Sequence, residues 1–184
     1  YTKNMKKYLL TIFLFLVTVY ACKKDKDEPK SNQFSFNGTN HDLSKGIIEN
    51  YGQWQGEEAF NFDVILLSSG LTVTLDDGEP DGITGMGNAV VMEFYSSYST
   101  DLATGEYKYN VTGMGKTFEY AFAAVNFNTE TEEGIEVDIS GGTIVVSKSG
   151  SNYELTFNFE TTDGNPLSGY YLGPLTRFDF NSKL

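Results

Sequence analysis

Apolar and polar residues alternate along most of this 184-residue chain, in short runs that glycine, asparagine and aspartate separate. Alternation with period two is typical of β-strands that bury one face and expose the other. The pattern predicts strands whose apolar faces consist of the following sets: Phe34 and Phe36; Phe60, Phe62, Val64 and Leu66; Leu71, Val73 and Leu75; Val90, Met92 and Phe94; Tyr107, Tyr109 and Val111; Phe118, Tyr120, Phe122 and Ala124; Ile135, Val137 and Ile139; Ile144 and Val146; Tyr153, Leu155, Phe157 and Phe159; and Tyr171, Leu172 and Leu175 to Phe180.

Turn-forming residues lie between these runs, in residues 113–115, 140–142, 149–152 and 163–166. Glycine, asparagine and aspartate tolerate the positive φ angles that tight hairpins require. Short links between successive strands favour antiparallel neighbours. We therefore expect an all-β protein, an antiparallel meander of about ten strands. It would form a barrel-like structure, for example a calycin-like barrel, or a flattened β-sandwich, because both arrangements remove exposed strand edges.

The N-terminal region contains an uncharged, mostly apolar run, residues 8–19, that follows Lys6 and Lys7. A membrane-spanning helix needs about 20 apolar residues, so the run fits the apolar part of a signal peptide better. Ala21 and Cys22 follow shortly after this run. A small residue directly before a cysteine at this place resembles the lipobox of bacterial lipoproteins. The resemblance implies cleavage before Cys22 and diacylation of its thiol. Two acyl chains give stable membrane attachment, because each buried methylene contributes about 0.8 kcal/mol.

These features predict a signal peptide in residues 1–21, a flexible lipidated tether in residues 22–32 and a single all-β domain in residues 33–184. The tether contains Lys26-Asp27-Glu28, which resembles the surface-export signals of Bacteroidetes-type lipoproteins. Within the domain, residues 102–107, 140–146 and 163–173 resemble hairpins of small lipoproteins from the same group. The resemblance implies an outer-membrane lipoprotein that faces the periplasm or the cell surface. It implies a β fold but no activity.

The charge of the chain excludes one class of partner. Seven of the 13 basic residues and three of the 25 acidic residues lie in residues 1–32, so residues 33–184 carry six basic against 22 acidic residues, a net charge of -16. Proteins that bind nucleic acid need a positive field, and we exclude that class. The acidic stretch 129–133 is interpreted as a solvated turn.

The chain lacks the residues of several common catalytic and metal sites. Its only histidine, His41, precedes Asp42, but no Gly-x-Ser-x-Gly motif accompanies them. Cys22 is the only cysteine, so no disulfide can form within the chain and a zinc site would lack its usual ligands. His41 is interpreted as a polar loop residue.

The densest acidic cluster includes Asp77, Glu79 and Asp81, which have the 1, 3, 5 spacing of an EF-hand calcium loop, with Gly82 at the sixth position. The twelfth position is Asn88, which cannot ligate through two carboxylate oxygens, and no helices flank the loop. Calcium ligation by these three residues is one interpretation. A solvated acidic hairpin is the other, and no other cofactor is expected.

The only tryptophan, Trp54, lies in a polar stretch interrupted by glycines. A sugar ring could stack on Tyr51 and Trp54 while Gln53 and Gln55 hydrogen-bond to its hydroxyls. Alternatively, Trp54 closes one end of the core, as large amphipathic residues do.

Three functions remain open at this point. The first is a non-catalytic surface lipoprotein that binds a glycan or a protein partner through Tyr51, Gln53, Trp54 and Gln55. The second is a barrel that carries a small apolar ligand, because barrels of eight or more strands can enclose a cavity. The third reading is a hydrolase built on two carboxylates. The lack of a complete catalytic motif favours the first.

Overall fold

The computed structural model describes residues 30–54 and 58–180, and all of these except Lys30 belong to a compact unit that spans residues 31–184. The predicted signal peptide, Cys22, most of the predicted tether and Gln55 lie outside the described residues. The described residues form eleven strands and no helix, so the all-β prediction is confirmed. None of the described residues belongs to a helix that could cross a membrane.

The strands have the following bounds: β1 Gln33–Phe36, β2 Thr39–Asp42, β3 Lys45–Gln53, β4 Phe60–Leu67, β5 Leu71–Asp76, β6 Glu79–Ser96, β7 Gly105–Tyr109, β8 Thr117–Asn128, β9 Glu133–Ser149, β10 Asn152–Thr161 and β11 Pro166–Asp179.

Eight strands close into a barrel, with neighbours in the order β3, β4, β6, β8, β7, β9, β10 and β11. Closure depends on the long strand β11. Its residues 166–174 pair with β10, and its residues 175–179 run parallel to β3. The short strand β7 pairs with both β8 and β9, and it runs parallel to β8. The expected antiparallel meander therefore contains two parallel contacts, and the structure selects the barrel over the flattened sandwich.

Large side chains fill the inside of the barrel. Phe62, Phe94, Phe118, Phe157 and Tyr107 are all completely buried in one apolar cluster. The rings of Phe94 and Tyr107 meet edge to face with centroids 5.0 Å apart, a favoured arrangement for aromatic pairs. Burying one side chain of this kind contributes about 1.5–3 kcal/mol. The barrel interior is therefore a packed core, which disfavours the reading as a carrier of an apolar ligand.

The predicted apolar face of β8 is wrong for three of its four residues. The pairing of β6 with β8 shifts by one residue between Met92 and Phe94, and such a bulge changes which face the following residues occupy. Phe118 is in the core, but Ala121 and Ala123 follow it there. Tyr120 and Phe122 consequently lie outside the core cluster, as does Ala124. Four further residues predicted to face the core, Leu75, Val111, Ile135 and Leu172, are also exposed.

The hairpin of β5 and the first part of β6 lies outside the barrel, because β5 pairs only with residues 79–85 of β6. Its two-residue turn is Asp77-Gly78, with φ angles of 48° and 86°, as type I′ hairpin turns require. Buried residues Leu67, Leu71, Ala89 and Ala124 form a second, smaller apolar cluster against this hairpin. The hairpin therefore covers part of the outer barrel surface, and a groove lies along each of its sides.

Candidate functional site

Three carboxylates lie side by side on the outer face of three neighbouring strands. Glu49 of β3 is directly opposite Asp63 of β4, and Asp63 is directly opposite Glu93 of β6. Residues paired in this way on one face have Cβ atoms about 4.5–5.5 Å apart. We refer to Glu49, Asp63 and Glu93 as the carboxylate row. The strand period of two explains its position, because the neighbouring residues point into the packed core.

Hydrogen bonds satisfy the two ends of the carboxylate row. The Tyr51 hydroxyl donates to Glu49 Oε2 over 2.8 Å. Asn61 Nδ2 and the Tyr95 hydroxyl donate to Glu93 Oε1, over 3.0 Å and 3.1 Å. The centre differs, because Asp63 Oδ1 is buried and has no hydrogen-bond partner among the described residues. The centre of the row therefore contains an acceptor that is closed to solvent and has no donor.

The electrostatics of the row favour a proton on its central residue. Burial, followed by the charges of Glu93 and Glu49, raises the pKa of Asp63 from 3.8 to about 7. Buried or closely spaced carboxylates resist ionisation in this way. The three ion pairs found among the described residues, Lys108–Glu106, Lys148–Asp101 and Arg177–Asp179, do not involve the row. Asp63 therefore exchanges its proton near neutral pH.

Aromatic rings border the row at one end of the barrel. A bulge in β3 between Asn50 and Gly52 leaves Tyr51 unpaired, with 38% of its surface exposed. The Tyr51 ring stacks on Phe180, with centroids 5.3 Å apart and ring planes 12° apart. Burial and the neighbouring Glu49 raise the pKa of the Tyr51 hydroxyl, which therefore stays protonated and donates its hydrogen bond.

Trp54 is half-buried and lies outside the core cluster. Its ring meets Tyr95 at 66° with centroids 5.3 Å apart, and its backbone N–H donates to the carbonyl of Ala59 over 2.9 Å. Gly113 packs closely on the indole, because a Cβ at this position would lie 2.6 Å from Trp54 Nε1. Trp54 therefore neither plugs the barrel nor stands free in solvent.

A groove of about 440 Å³ lies between the β5–β6 hairpin and the pair Glu49 and Tyr51, and Asp63, Glu93 and Trp54 are not among its lining residues. It is lined by residues of β3 and β4, by hairpin residues and by Phe180, and they include Ile47, Glu49, Tyr51, Ile65, Val73 and Ile83. The groove is polar near Glu49 and Tyr51 and apolar along the hairpin. This combination is typical of small-ligand sites, in which few polar groups orient a ligand on an apolar surface.

Two of the four residues predicted to bind a ligand lie at this site. Tyr51 contacts the row directly, and Trp54 reaches it through Tyr95. Gln53 is exposed at the end of β3, and Gln55 is outside the described residues. The sequence analysis did not identify Asp63 or its neighbours in the row. A polar residue between apolar ones is typical of a solvent-facing strand position, so the local pattern gives no signal there.

The predicted calcium ligands lie elsewhere, in the β5–β6 hairpin. Asp77 is in the turn, Glu79 pairs with Asp76, and Asp81 is the extra residue where the pairing shifts. Among residues 30–54 and 58–180, no three histidine, cysteine, aspartate or glutamate side chains are placed to hold a metal ion. The geometry therefore gives more support to the other interpretation, an acidic hairpin.

His41 is in strand β2, where its ring packs 5.0 Å from that of Phe34. It is not the loop residue that the sequence indicated, because residues 39–42 pair with β1. Burial lowers its pKa.

Comparison with known proteins adds no assignment: no protein-family model, curated protein or solved structure matches this chain. The function must therefore be argued from the site itself.

Proposed function

We propose that this protein is a non-catalytic surface lipoprotein, attached to the outer membrane through Cys22, that binds a glycan on the outer face of its barrel. Tyr51, Trp54 and the carboxylate row form the proposed site. The observation that carries the proposal is the buried, unpartnered Oδ1 of Asp63 beside a partly exposed aromatic residue. The lipid anchor and the location rest on the sequence features of residues 5–28.

A sugar matches this chemistry because it combines an apolar ring face with hydroxyl donors. The exposed part of the Tyr51 ring offers a flat apolar surface, and the row offers acceptors for hydroxyl groups. A buried acceptor without a partner costs about 1–3 kcal/mol, so a hydroxyl that reached Asp63 Oδ1 would recover this free energy. The stacked Phe180 holds the Tyr51 ring in place, which lowers the entropy cost of binding.

The charge of the site restricts the kind of glycan. The row consists of three carboxyl groups, none of which is in an ion pair found among the described residues, and residues 33–184 carry a net charge of -16. Like charges across a binding surface are unfavourable. We therefore expect neutral or amino sugars to bind in preference to sulfated sugars or uronic acids.

Glycan-array measurements on four variants test the proposal. Tyr51→Ala and Asp63→Ala should each weaken retention on neutral glycans about tenfold, because each removes one contact of about 1.4 kcal/mol. Trp54→Ala tests the second aromatic residue. Tyr170→Ala is the matched control, since Tyr170 lies on β11, two strands from Asp63 around the barrel. Equal retention by the wild type and the Tyr51 and Asp63 variants would refute the site.

A hydrolase is the second candidate, and the raised pKa of Asp63 favours it. Glycosidases use a carboxylic acid with a raised pKa together with a second carboxylate about 5–10 Å away, and Asp63 has Glu49 and Glu93 as neighbours. Release of reducing ends by the wild type that Asp63→Asn abolishes would support this candidate. Binding without such release supports the non-catalytic function.

A further inference from the structure

A second and larger groove lies on the other side of the β5–β6 hairpin. It has a volume of about 740 Å³, and we call it the β8 groove. Its apolar lining comes from β5, β6 and β8, and it includes Leu71, Ile83, Val91, Phe122, Ala124 and Phe127. The bulge in the pairing of β6 with β8 changes which β8 side chains point outward, and Phe122 therefore lies in this groove. Part of the β8 face that was predicted to lie in the core therefore forms an apolar surface that is open to solvent.

Acidic side chains of β9 and of the turn before it border the β8 groove. Glu132 and Glu136 line it directly, and Asp138 follows Glu136 at the strand period of two. Tyr120, which is 51% exposed, lies in the field of both strand acids. Partial burial, followed by the charges of Asp138 and Glu136, raises the pKa of the Tyr120 hydroxyl. No lysine or arginine is among the lining residues.

We propose that the β8 groove binds a basic peptide segment in which lysine or arginine residues are interspersed with large apolar residues. Apolar side chains of such a segment would pack on Phe122 and Ile83. Its cationic groups would meet Glu132 and Glu136, and the face of Tyr120 offers a further contact for a cation. The two grooves share only Ile83 among their lining residues, so peptide binding and glycan binding use largely separate surfaces.

Charge complementarity favours this occupant over two others. A second copy of the chain would bring another domain of net charge -16 against an acidic border, and like charges oppose this. A fatty acyl chain would use the apolar lining but would gain nothing from the carboxylates. Only a basic and apolar peptide uses both parts of the groove.

The experiment measures binding of the fluorescein-labelled peptide KLGKFGKL to the full chain by anisotropy. Glu132→Gln combined with Glu136→Gln removes two border charges and preserves side-chain shape. The matched control, Glu106→Gln with Glu160→Gln, removes two charges from exposed positions on β7 and β10. Each exposed ion pair is weak on its own, but the border variant loses two of them, so it should bind about tenfold more weakly than the wild type. The control should bind within about twofold of the wild type, because its two charges lie away from the groove. Replacing leucine and phenylalanine of the peptide by serine should also weaken binding.

Four outcomes would overturn the proposal. The first is the absence of saturable binding up to about 1 mM peptide. The second is equal weakening in both double variants, which would show attraction to diffuse negative charge only. The third is displacement of the peptide by laurate at lower concentration, which would identify an acyl-chain site. The fourth is a concentration-dependent dimer in sedimentation that blocks the peptide.

Discussion

Replacing Asp63 by asparagine should stabilise the folded barrel above neutral pH and have little effect in acid. Asparagine keeps the shape of the side chain and removes the charge that the row and the burial disfavour. In the folded protein the pKa of Asp63 is raised from 3.8 to about 7. A raised pKa means that the protonated form is favoured in the folded state. The resulting stabilisation is complete below a pH of about 4 and is lost as the pH rises through about 7.

The magnitude follows from the two pKa values. Each tenfold change in proton affinity corresponds to about 1.4 kcal/mol, so ionised Asp63 costs the folded state about 4 kcal/mol above pH 7. Asp63 is mostly buried, so solvent screening reduces this value only in part. The amide oxygen of the asparagine would also be buried without a hydrogen-bond donor, so the variant keeps part of the cost of removing a polar atom from water. We therefore expect Asp63→Asn to gain about 2–3 kcal/mol in unfolding free energy at alkaline pH.

Urea denaturation between about pH 4 and pH 8 measures this effect, with the m value showing whether both proteins unfold in the same way. The unfolding free energy of the wild type should fall between these limits, and that of Asp63→Asn should fall less. Asp81→Asn is a control, since Asp81 is an exposed acid on the hairpin. Parallel pH profiles of wild type and Asp63→Asn would refute the reasoning, as would destabilisation by Asp63→Asn at pH 8.

Three further predictions concern other parts of the chain. Cys22→Ser should release the protein from membranes or leave it unprocessed, and fractionation with mass spectrometry checks this; normal processing with full membrane retention would contradict the anchor. Gly169→Ala should lower the unfolding free energy by about 1–3 kcal/mol, because its Cβ would lie 2.2 Å from Phe157; an unchanged melting temperature would contradict the described packing. Trp54→Ala should lower the unfolding free energy by less than the loss of a core aromatic residue does, which is about 3–5 kcal/mol, because Trp54 packs outside the core cluster. A loss of about 3–5 kcal/mol would show that Trp54 is a structural residue.

The strands were predictable where pairing is regular. Residues 153–159 alternate strictly, and β10 pairs without a register shift along this stretch, so its apolar residues are all in the core. β8 could not be predicted in the same way. Its bulge arises from pairing with β6 and β9, whose registers shift at different places. A single strand's sequence does not reveal such shifts, and Phe122 was therefore assigned to the wrong face.

The candidate site was predictable only in its aromatic part. Tyr51 and Trp54 attract attention because they are aromatic residues in a polar, glycine-rich stretch. Glu49, Asp63 and Glu93 are separated by 14 and 30 residues in the chain, and each alone is an ordinary polar position in an alternating strand. They become a site only when three strands pair in one register, which local sequence patterns do not determine.

That register is nevertheless fixed by the core, and this connects the fold to the site. One position from the row, Ile48 is opposite Val64, and Val64 is opposite Met92; all three are almost completely buried. A slip of one residue in β4 would turn Val64 outward and place Asp63 in the apolar interior, where an unpaired charge is very costly. The packing that excludes this slip also holds the three carboxylates side by side. The destabilising charge of Asp63 is thus maintained by the apolar residues on the opposite face of the same strands.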